Sequence, residues 1–454
     1  MRSDHYSLLS YTKSGLTGPL ALVFADQAAN SDFKTKVLAG LAKIKPGGIE
    51  LLGLDTGFDE SGAFHAKPTG LLANGVGQKL AEGVTKAVSG KGRPLMVRNG
   101  QKIFTLYQPP IPSAAAMRVL ASRIAMDRTG RPLPATATLQ VTTTCQADCY
   151  HCSAARHRRL DRPELSTEEM QSLIRQTEAL GIVNIVFTGG EPLLRRDIYE
   201  LISWVNKDEA IAMMFSNGLM LTEDNVARLK DAGIFSINVS LDSPDPAAHN
   251  KLRRVERCWE RAVEGLERLK NAGILCGIST YATPERLRNG QVMEMIELAR
   301  KVGVDEITIF DVVPTGKLLR DEEQALLSPE DQQELCRLEG EINQRESYPH
   351  VITQAHVNGP TGAGCYAGWF QFYSTAYGDI MPCDFTPLRF GNIRDNDLAE
   401  IWQKMTSHPA YQHHCNHCRM QDREFRSQWI DRIPAEGPFP HPVEALEQPV
   451  GASA

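Results

Sequence analysis

The period of the hydrophobic positions changes along the chain, and the changes mark its organisation. In the first ~110 residues, Leu20–Phe24 predicts a short strand, Phe33–Ile44 has helical spacing, and Gly70–Val88 predicts a second helix. Two strands, Leu95–Arg98 and Lys102–Tyr107, flank Asn99-Gly100, the strongest two-residue signal for a hairpin. These elements predict a small α+β domain over residues 1–112. It ends in Gln108-Pro109-Pro110-Ile111-Pro112, a stiff linker because each proline fixes φ and removes a donor.

From about Ala137 strands alternate with helices. Ala137–Thr142, Asn184–Phe187, Ile211–Phe215, Ser236–Leu241, Ile274–Thr280 and Glu306–Phe310 are the strands. Helices beginning at Ser166 and spanning Asp197–Val205, Asp224–Asp231, Glu256–Asn271 and Gln291–Val302 separate them. Six βα units in a row predict an α/β core over residues 113–314. The sheet is parallel, either open and doubly wound or an incomplete barrel, with ligands at the C-terminal ends of its strands. A helical connector over 315–354 follows, then a cysteine- and aromatic-rich module over 355–433. The tail, 434–454, has five prolines and little periodicity, which predicts a loosely packed extension.

A chain of 454 residues has room for two or three such domains. Its net charge of −6 gives no general reason to expect nucleic acid or an anionic membrane as partner. No stretch approaches ~18 continuous apolar residues, so no membrane span is expected, and Met1–Tyr6 starts no signal-peptide-like apolar run. The ten cysteines are clustered at C-x-x-x-C-x-x-C and C-x-x-C spacings. That pattern favours metal ligation in a reducing cytoplasm over disulfides.

Cys145, Cys149 and Cys152 fall directly after the first strand of the βα series. Thiolates are the natural ligands of iron–sulfur clusters, and three of them leave the fourth iron of a 4Fe–4S cube open to a chelating ligand. The competing reading is a zinc site with His151 as fourth ligand. Over residues 137–311 the chain resembles the radical S-adenosylmethionine (SAM) superfamily, whose barrel is a partial (βα)6. Gly189-Gly190-Glu191-Pro192, after strand two, looks like the family motif that engages the methionine amino group. Ser216-Asn217-Gly218 resembles its segment near the nucleoside, and Ser240-Leu241-Asp242 its Ser-Leu-Asp segment near the cofactor. Arg253 stands where relatives often pair an arginine with the methionine carboxylate, although this chain reads Arg253-Arg254 where Arg-Gly is usual.

Cys365, Cys383, Cys415 and Cys418, with Gly378 between the first pair, resemble the superfamily's auxiliary-cluster modules of SPASM type. No cysteine follows Cys418, so the match is to the shortened "twitch" version, and it implies a second 4Fe–4S cluster; zinc on the same thiolates is the alternative. Asp384 stands where related sulfatase maturases carry a base. Cys258, Cys276 and Cys336 fit neither set and read as buried thiols.

The resemblance implies reductive cleavage of SAM and hydrogen abstraction by a 5′-deoxyadenosyl radical. It also implies a one-electron donor such as flavodoxin or ferredoxin. The substrate class it suggests is a peptide or a small-molecule or cofactor precursor, acted on by an oxidoreductase or maturase. A different class is an iron–sulfur electron carrier without radical turnover, against which the SAM-contacting segments argue.

Overall fold

Thr136–Gln140 reads Thr-Ala-Thr-Leu-Gln, and Ser236–Ser240 reads Ser-Ile-Asn-Val-Ser. Such alternation gives a strand one apolar and one polar face, whereas a sheet covered by helices on both faces needs apolar residues at every position. In the computed structural model Ala137, Leu139, Ile237, Val239, Ile307 and Ile309 all pack into one core cluster under the helices. Thr138, Gln140, Asn238, Thr308 and their neighbours face the opposite way, into a lumen. The fold is therefore an incomplete α/β barrel and not the doubly wound sheet. The structure describes residues 4–12, 15–17, 49–130, 132–157, 161–321 and 326–447.

The chain divides into two compact units: residues up to Phe104 with Gln108–Leu133, and Thr105–Tyr107 with the chain from Pro134 onward. In the first, β1 (Asp4–Thr12), β2 (Gly15–Thr17), β3 (Ile49–Phe58) and β4 (Phe64–Thr69) form an antiparallel sheet of order β2-β1-β3-β4. Helices α1 (Gln78–Ser89) and α2 (Ala114–Thr129) accompany it. The hairpin of β5 (Met96–Arg98) and β6 (Gln101–Ile103) turns through Asn99 and Gly100 at φ 52° and 80°, the left-handed pair a two-residue turn requires. The elements expected at Leu20–Phe24 and Phe33–Ile44 lie outside the described residues.

The expected boundary at 112 is corrected. Helix α2 belongs to the first unit because its Ala116, Met117 and Leu120 pack with Leu51, Leu54 and Val84. The strand expected to run to Tyr107 stops at Ile103. Thr105–Tyr107 leaves it and joins the barrel unit. There the Leu106 amide donates to Glu306 Oε2 at 3.4 Å, the Leu106 carbonyl accepts from Ser236 Oγ at 3.1 Å, and the Tyr107 hydroxyl meets Thr308 Oγ1 at 2.9 Å.

The barrel unit alternates β7 (Thr136–Gln140), α3 (Thr167–Ala179), β8 (Asn184–Thr188), α4 (Ile198–Trp204), β9 (Ile211–Ser216), α5 (Glu223–Asp231) and β10 (Ser236–Ser240). It continues with α6 (Pro246–Arg253), α7 (Cys258–Ala272), β11 (Leu275–Ala282), α8 (Pro284–Arg288), α9 (Gln291–Val302) and β12 (Glu306–Asp311). Ser166 starts α3 through a capping box with Glu169. After α10 (Pro329–Asn343) comes a strand absent from the sequence expectation, β13 (His350–Thr353), pairing parallel with β12.

At the other edge, β14 (Gln371–Ser374) pairs parallel with β7, and β15 (Asp379–Met381) returns antiparallel. Gly378, at φ 85°, makes the turn between them, the Gly378 amide donating to the Thr375 carbonyl. Beyond β16 (Leu388–Arg389), β17 (Gly391–Asn392) completes a ten-stranded sheet of order β13-β12-β11-β10-β9-β8-β7-β14-β15-β17. The expected loose tail is also corrected. β18 (His441–Pro442) pairs with β16, and Phe439, Val443 and Leu446 are buried in the main core. The prolines there shape a packed segment.

Burial pushes the Glu306 carboxyl, at the base of β12, up to about 8, against donation from Thr105 and the Leu106 amide. The folded state thus keeps a proton that the unfolded chain releases above pH 4.5. Stability should fall as pH rises from about 4.5 to about 8, by at most ~1.4 kcal/mol per pH unit. Urea unfolding of the cluster-free protein across this range should show that slope, and Glu306→Gln should flatten it. An identical slope in the variant would assign the pH dependence to other groups.

Candidate active site

Cys145, Cys149 and Cys152 lie on the loop that leaves the C-terminal end of β7, and the start of this loop is fixed from the next strand. The Gly190 amide donates to the Thr142 carbonyl and the Glu191 amide to the Thr144 carbonyl, each at 2.8 Å. A Cβ at Gly190 would come within 2.0 Å of the Thr144 carbonyl oxygen, and one at Gly189 within 2.8 Å of that of Thr142. The two glycines thus serve a close approach between two backbones, a use that the sequence reading had given to the ligand.

The Glu191 carboxylate is fully buried. It accepts from Ser216 Oγ at 2.9 Å and from the Asn217 amide at 2.8 Å. Burial raises it to about 7 despite those donors. Glu191 therefore ties the loop after β8 to the loop after β9. Asn217 Nδ2 in turn donates to Gln146 Oε1 at 3.1 Å and to Cys145 Sγ at 3.7 Å. Gly218, at φ 83°, leaves no space for a side chain, since a Cβ would meet Ala262 Cα at 2.7 Å.

The loop's far side rests on helix α6. The Asp148 and Tyr150 amides donate to the carbonyls of Arg253 and Leu252, at 3.3 and 3.4 Å. The doubled arginine now separates. Arg253 points inward: its Nε and Nη2 donate to the two oxygens of buried Asp242 at 2.6 and 2.9 Å, and its Nη1 lies 3.6 Å from Cys149 Sγ. Arg254 is exposed, pairs with Asp148 at 2.6 Å, and takes φ 56° as the left-handed cap of α6. A glycine would be at ease there, which explains the usual Arg-Gly. The Arg253 guanidinium holds the Asp242 carboxyl far below the ordinary range, although burial alone would raise it.

Ser240, at the end of β10, meets Ser279 Oγ at 3.3 Å. His151 lies between Tyr150, which it meets edge-on, and Tyr281, against which it is tilted, and burial lowers it to about 4, so the imidazole is neutral. Cys258, read from the sequence as unconnected, lies within electrostatic reach of Cys145 and Cys149; only its place in the fold, at the start of α7, could have revealed this.

The second cysteine set assembles around β15. Cys365, Cys383 and Cys418 are buried and Cys415 is partly so. The Cys365 amide donates to the Cys415 carbonyl at 2.7 Å, Gly364 at φ 77° allows that approach, and Cys383 Sγ lies 3.2 Å from Thr386 Oγ1. Cys383 is pushed up to about 12, mainly by burial and then by the neighbouring Cys365 thiol. Among the described residues no three His, Cys, Asp or Glu side chains converge as they would on a single metal ion. The donor chemistry suits a cluster: thiols gathered at each site, with N–H groups aimed at the sulfurs of Cys145 and Cys149.

Asp384, next to Cys383, reaches into the barrel. It bonds the side chain of Thr138 on the inner face of β7, and burial raises it to about 7. Phe385 stands against Phe310, Phe310 against Phe215, and Phe215 against Tyr107, with ring centroids 6.2 to 6.4 Å apart.

An incomplete barrel with a three-cysteine loop after its first strand defines the radical SAM superfamily, and the profile of that superfamily matches residues 139–286. The chain therefore carries a radical SAM domain. Residues 365–419 match the SPASM iron–sulfur cluster-binding domain, so the protein is a radical SAM enzyme with 4Fe–4S and SAM as cofactors and an auxiliary iron–sulfur domain. Among curated proteins, the AdoMet-dependent heme synthase of Nitratidesulfovibrio vulgaris is 28% identical over 286 residues, 58% of this chain and 77% of that one. The PqqA peptide cyclase of Rhizobium meliloti is 28% identical over 292 residues, 62% of this chain and 77% of that one. Among solved structures, Streptococcus suis SuiB bound to its precursor peptide SuiA aligns with a TM-score of 0.50 at 17% identity, over 73% of this chain and 78% of that one, a likeness of fold. No helix among the described residues is long and apolar enough to cross a membrane.

Proposed function

We propose that the enzyme oxidises or crosslinks an uncharged group of a peptide or cofactor precursor held in the barrel lumen. In this reading Cys145, Cys149 and Cys152 hold the SAM-binding cluster, and Cys365, Cys383, Cys415 and Cys418 hold an auxiliary cluster that takes up the substrate's electron. When bound, the first cluster and SAM together supply a 5′-deoxyadenosyl radical. The residues of the chain do the rest. The Gly189–Glu191 and Ser216–Asn217 loops shape the SAM seat, Ser240 borders it, and Arg253, locked by Asp242, supplies the cation for the methionine carboxylate. The partly buried rings of Tyr107, Phe215, Phe310 and Phe385 limit the access of water to the reacting group.

One observation supports this assignment most directly. Asp384 follows Cys383 of the auxiliary module directly and bonds Thr138 on the inner face of β7, so a group bound in the lumen would lie beside a residue adjacent to an auxiliary cysteine. A carboxyl near 7 can accept a proton at neutral pH as the substrate loses an electron. The six core strands β7 to β12 carry no lysine, arginine or histidine. A carboxylate entering that lumen would find no strand cation to pair with, which favours a neutral peptide side chain or backbone over a propionate-bearing tetrapyrrole.

The test is anaerobic turnover of the reconstituted enzyme with a one-electron reductant, assaying 5′-deoxyadenosine and modified substrate together. Asp384→Asn should slow product formation by roughly 10²-fold while 5′-deoxyadenosine release continues. Equal loss of both would make Asp384 a structural residue, and no 5′-deoxyadenosine from the cluster-loaded enzyme would overturn the reading itself.

A further inference from the structure

We propose that Arg253 also sets the reduction potential of the SAM-binding cluster, through an N–H···S contact to Cys149 that buried Asp242 holds in place. The inference rests on the assignment of Cys145, Cys149 and Cys152 to that cluster. It adds a function to a residue otherwise read as a contact of SAM.

The geometry separates the two tasks. Three of the guanidinium's N–H groups are taken: Nε and Nη2 by the Asp242 carboxylate, and Nη1 by Cys149 Sγ at 3.6 Å. Two of the five that arginine carries remain for a ligand. The sulfur contact therefore exists before SAM binds. It is also preorganised from both ends. Asp242 follows β10 directly, and α6, which ends at Arg253, is bonded through its last carbonyls to the amides of Asp148 and Tyr150 in the cysteine loop itself. Helix end, fork and loop are bonded into one unit.

Reduction adds negative charge to a cluster and its thiolates. A cation and N–H donor at a ligand sulfur stabilise the reduced form and raise the potential. The effect is strongest where water does not screen it, and the Arg253 and Asp242 side chains are only 12% and 2% exposed. Asp242 is a positioning residue with an opposing charge, farther from the sulfur than the guanidinium it anchors. Two neutral imidazoles complete its surroundings. His151 Nε2 lies 3.5 Å from Asp242 Oδ2, and His249 Nδ1 accepts from the Asp242 amide at 3.1 Å. Arg254 provides an internal comparison, since it is adjacent in sequence but exposed and turned toward Asp148.

The experiment is a redox titration of the reconstituted full-length enzyme without SAM, following the reduced first cluster by electron paramagnetic resonance. Wild-type iron content and spectrum are measured first; a wild type lacking that cluster would refute the cysteine assignment and not this proposal. Arg253→Met should lower the potential, and Asp242→Asn, whose amide oxygen still accepts from the guanidinium while the negative charge is gone, should raise it, each by at least the 59 mV that corresponds to tenfold in a one-electron equilibrium. Because either change leaves a buried charge without its partner, the double variant Arg253→Met/Asp242→Leu removes both together; it too should lower the potential. Arg254→Gln should shift it by less than tenfold. Unchanged potentials in the Arg253 variants, shifts of one sign in both single variants, or an Arg254→Gln shift as large as that of Arg253→Met would each overturn the proposal.

Discussion

Replacing Cys145, Cys149 and Cys152 together with alanine should leave about four irons per chain where the reconstituted wild type holds about eight, and should abolish 5′-deoxyadenosine formation. The expectation follows from the separation of the two sets. The first three thiols sit on a loop pinned to β8, β9 and α6, while Cys365, Cys383 and Cys418 are buried around β15 in the auxiliary module. The substitutions leave the Thr142–Gly190 and Thr144–Glu191 backbone bonds in place, so the barrel should remain folded. Iron and sulfide analysis with absorption spectra would check the count. A triple variant that kept eight irons, or a wild type purified anaerobically with only stoichiometric zinc, would defeat the two-cluster assignment.

The complementary change is expected to separate turnover from radical generation. Cys415→Ala with Cys418→Ala removes two of the four auxiliary thiols, one of them fully buried beside Cys365 and Cys383. Product formation should cease, while slow 5′-deoxyadenosine release from the intact first site persists. The abstracted hydrogen still leaves on 5′-deoxyadenosine, but the substrate radical has no acceptor for its electron and cannot become product. Chromatographic quantification of both species in one reaction decides the matter. Undiminished product would reduce the auxiliary module to a scaffold, and loss of both species would mean that it maintains the barrel.

The chemistry was more legible in the sequence than the packing. Three cysteines within eight residues after a strand, and Gly-Gly-Glu-Pro after the next, are dense local signals, and the structure brings Cys145, Glu191, Ser216, Asn217, Asp242 and Arg253 around one loop. What a one-dimensional reading could not give was the partner of each group. The glycines of the Gly189–Gly190 pair lie against a second stretch of backbone, and Arg254 occupies a left-handed cap that no spacing rule reveals. Strand β13 was missed because four residues opening with His350 show no usable period. The proline-rich end was misread because Phe439, Val443 and Leu446 find their partners far away in the chain. The barrel itself was within reach: counting polar residues at alternate positions of Thr136–Gln140 and Ser236–Ser240 would have distinguished a lumen from a sheet buried on both faces.

The pairing of β14 with β7 has a practical consequence. Because Gln371–Ser374 hydrogen-bonds along Thr136–Leu139, a chain ended before residue 371 would leave the first barrel strand with a bare row of amides and carbonyls. Such a flat, unprotected margin is a template for intermolecular pairing. Truncation to the SAM-binding half should therefore give a protein that associates through that margin. The auxiliary module is in this sense the selvedge of the barrel, woven into the same cloth and not a patch that can be unpicked from it.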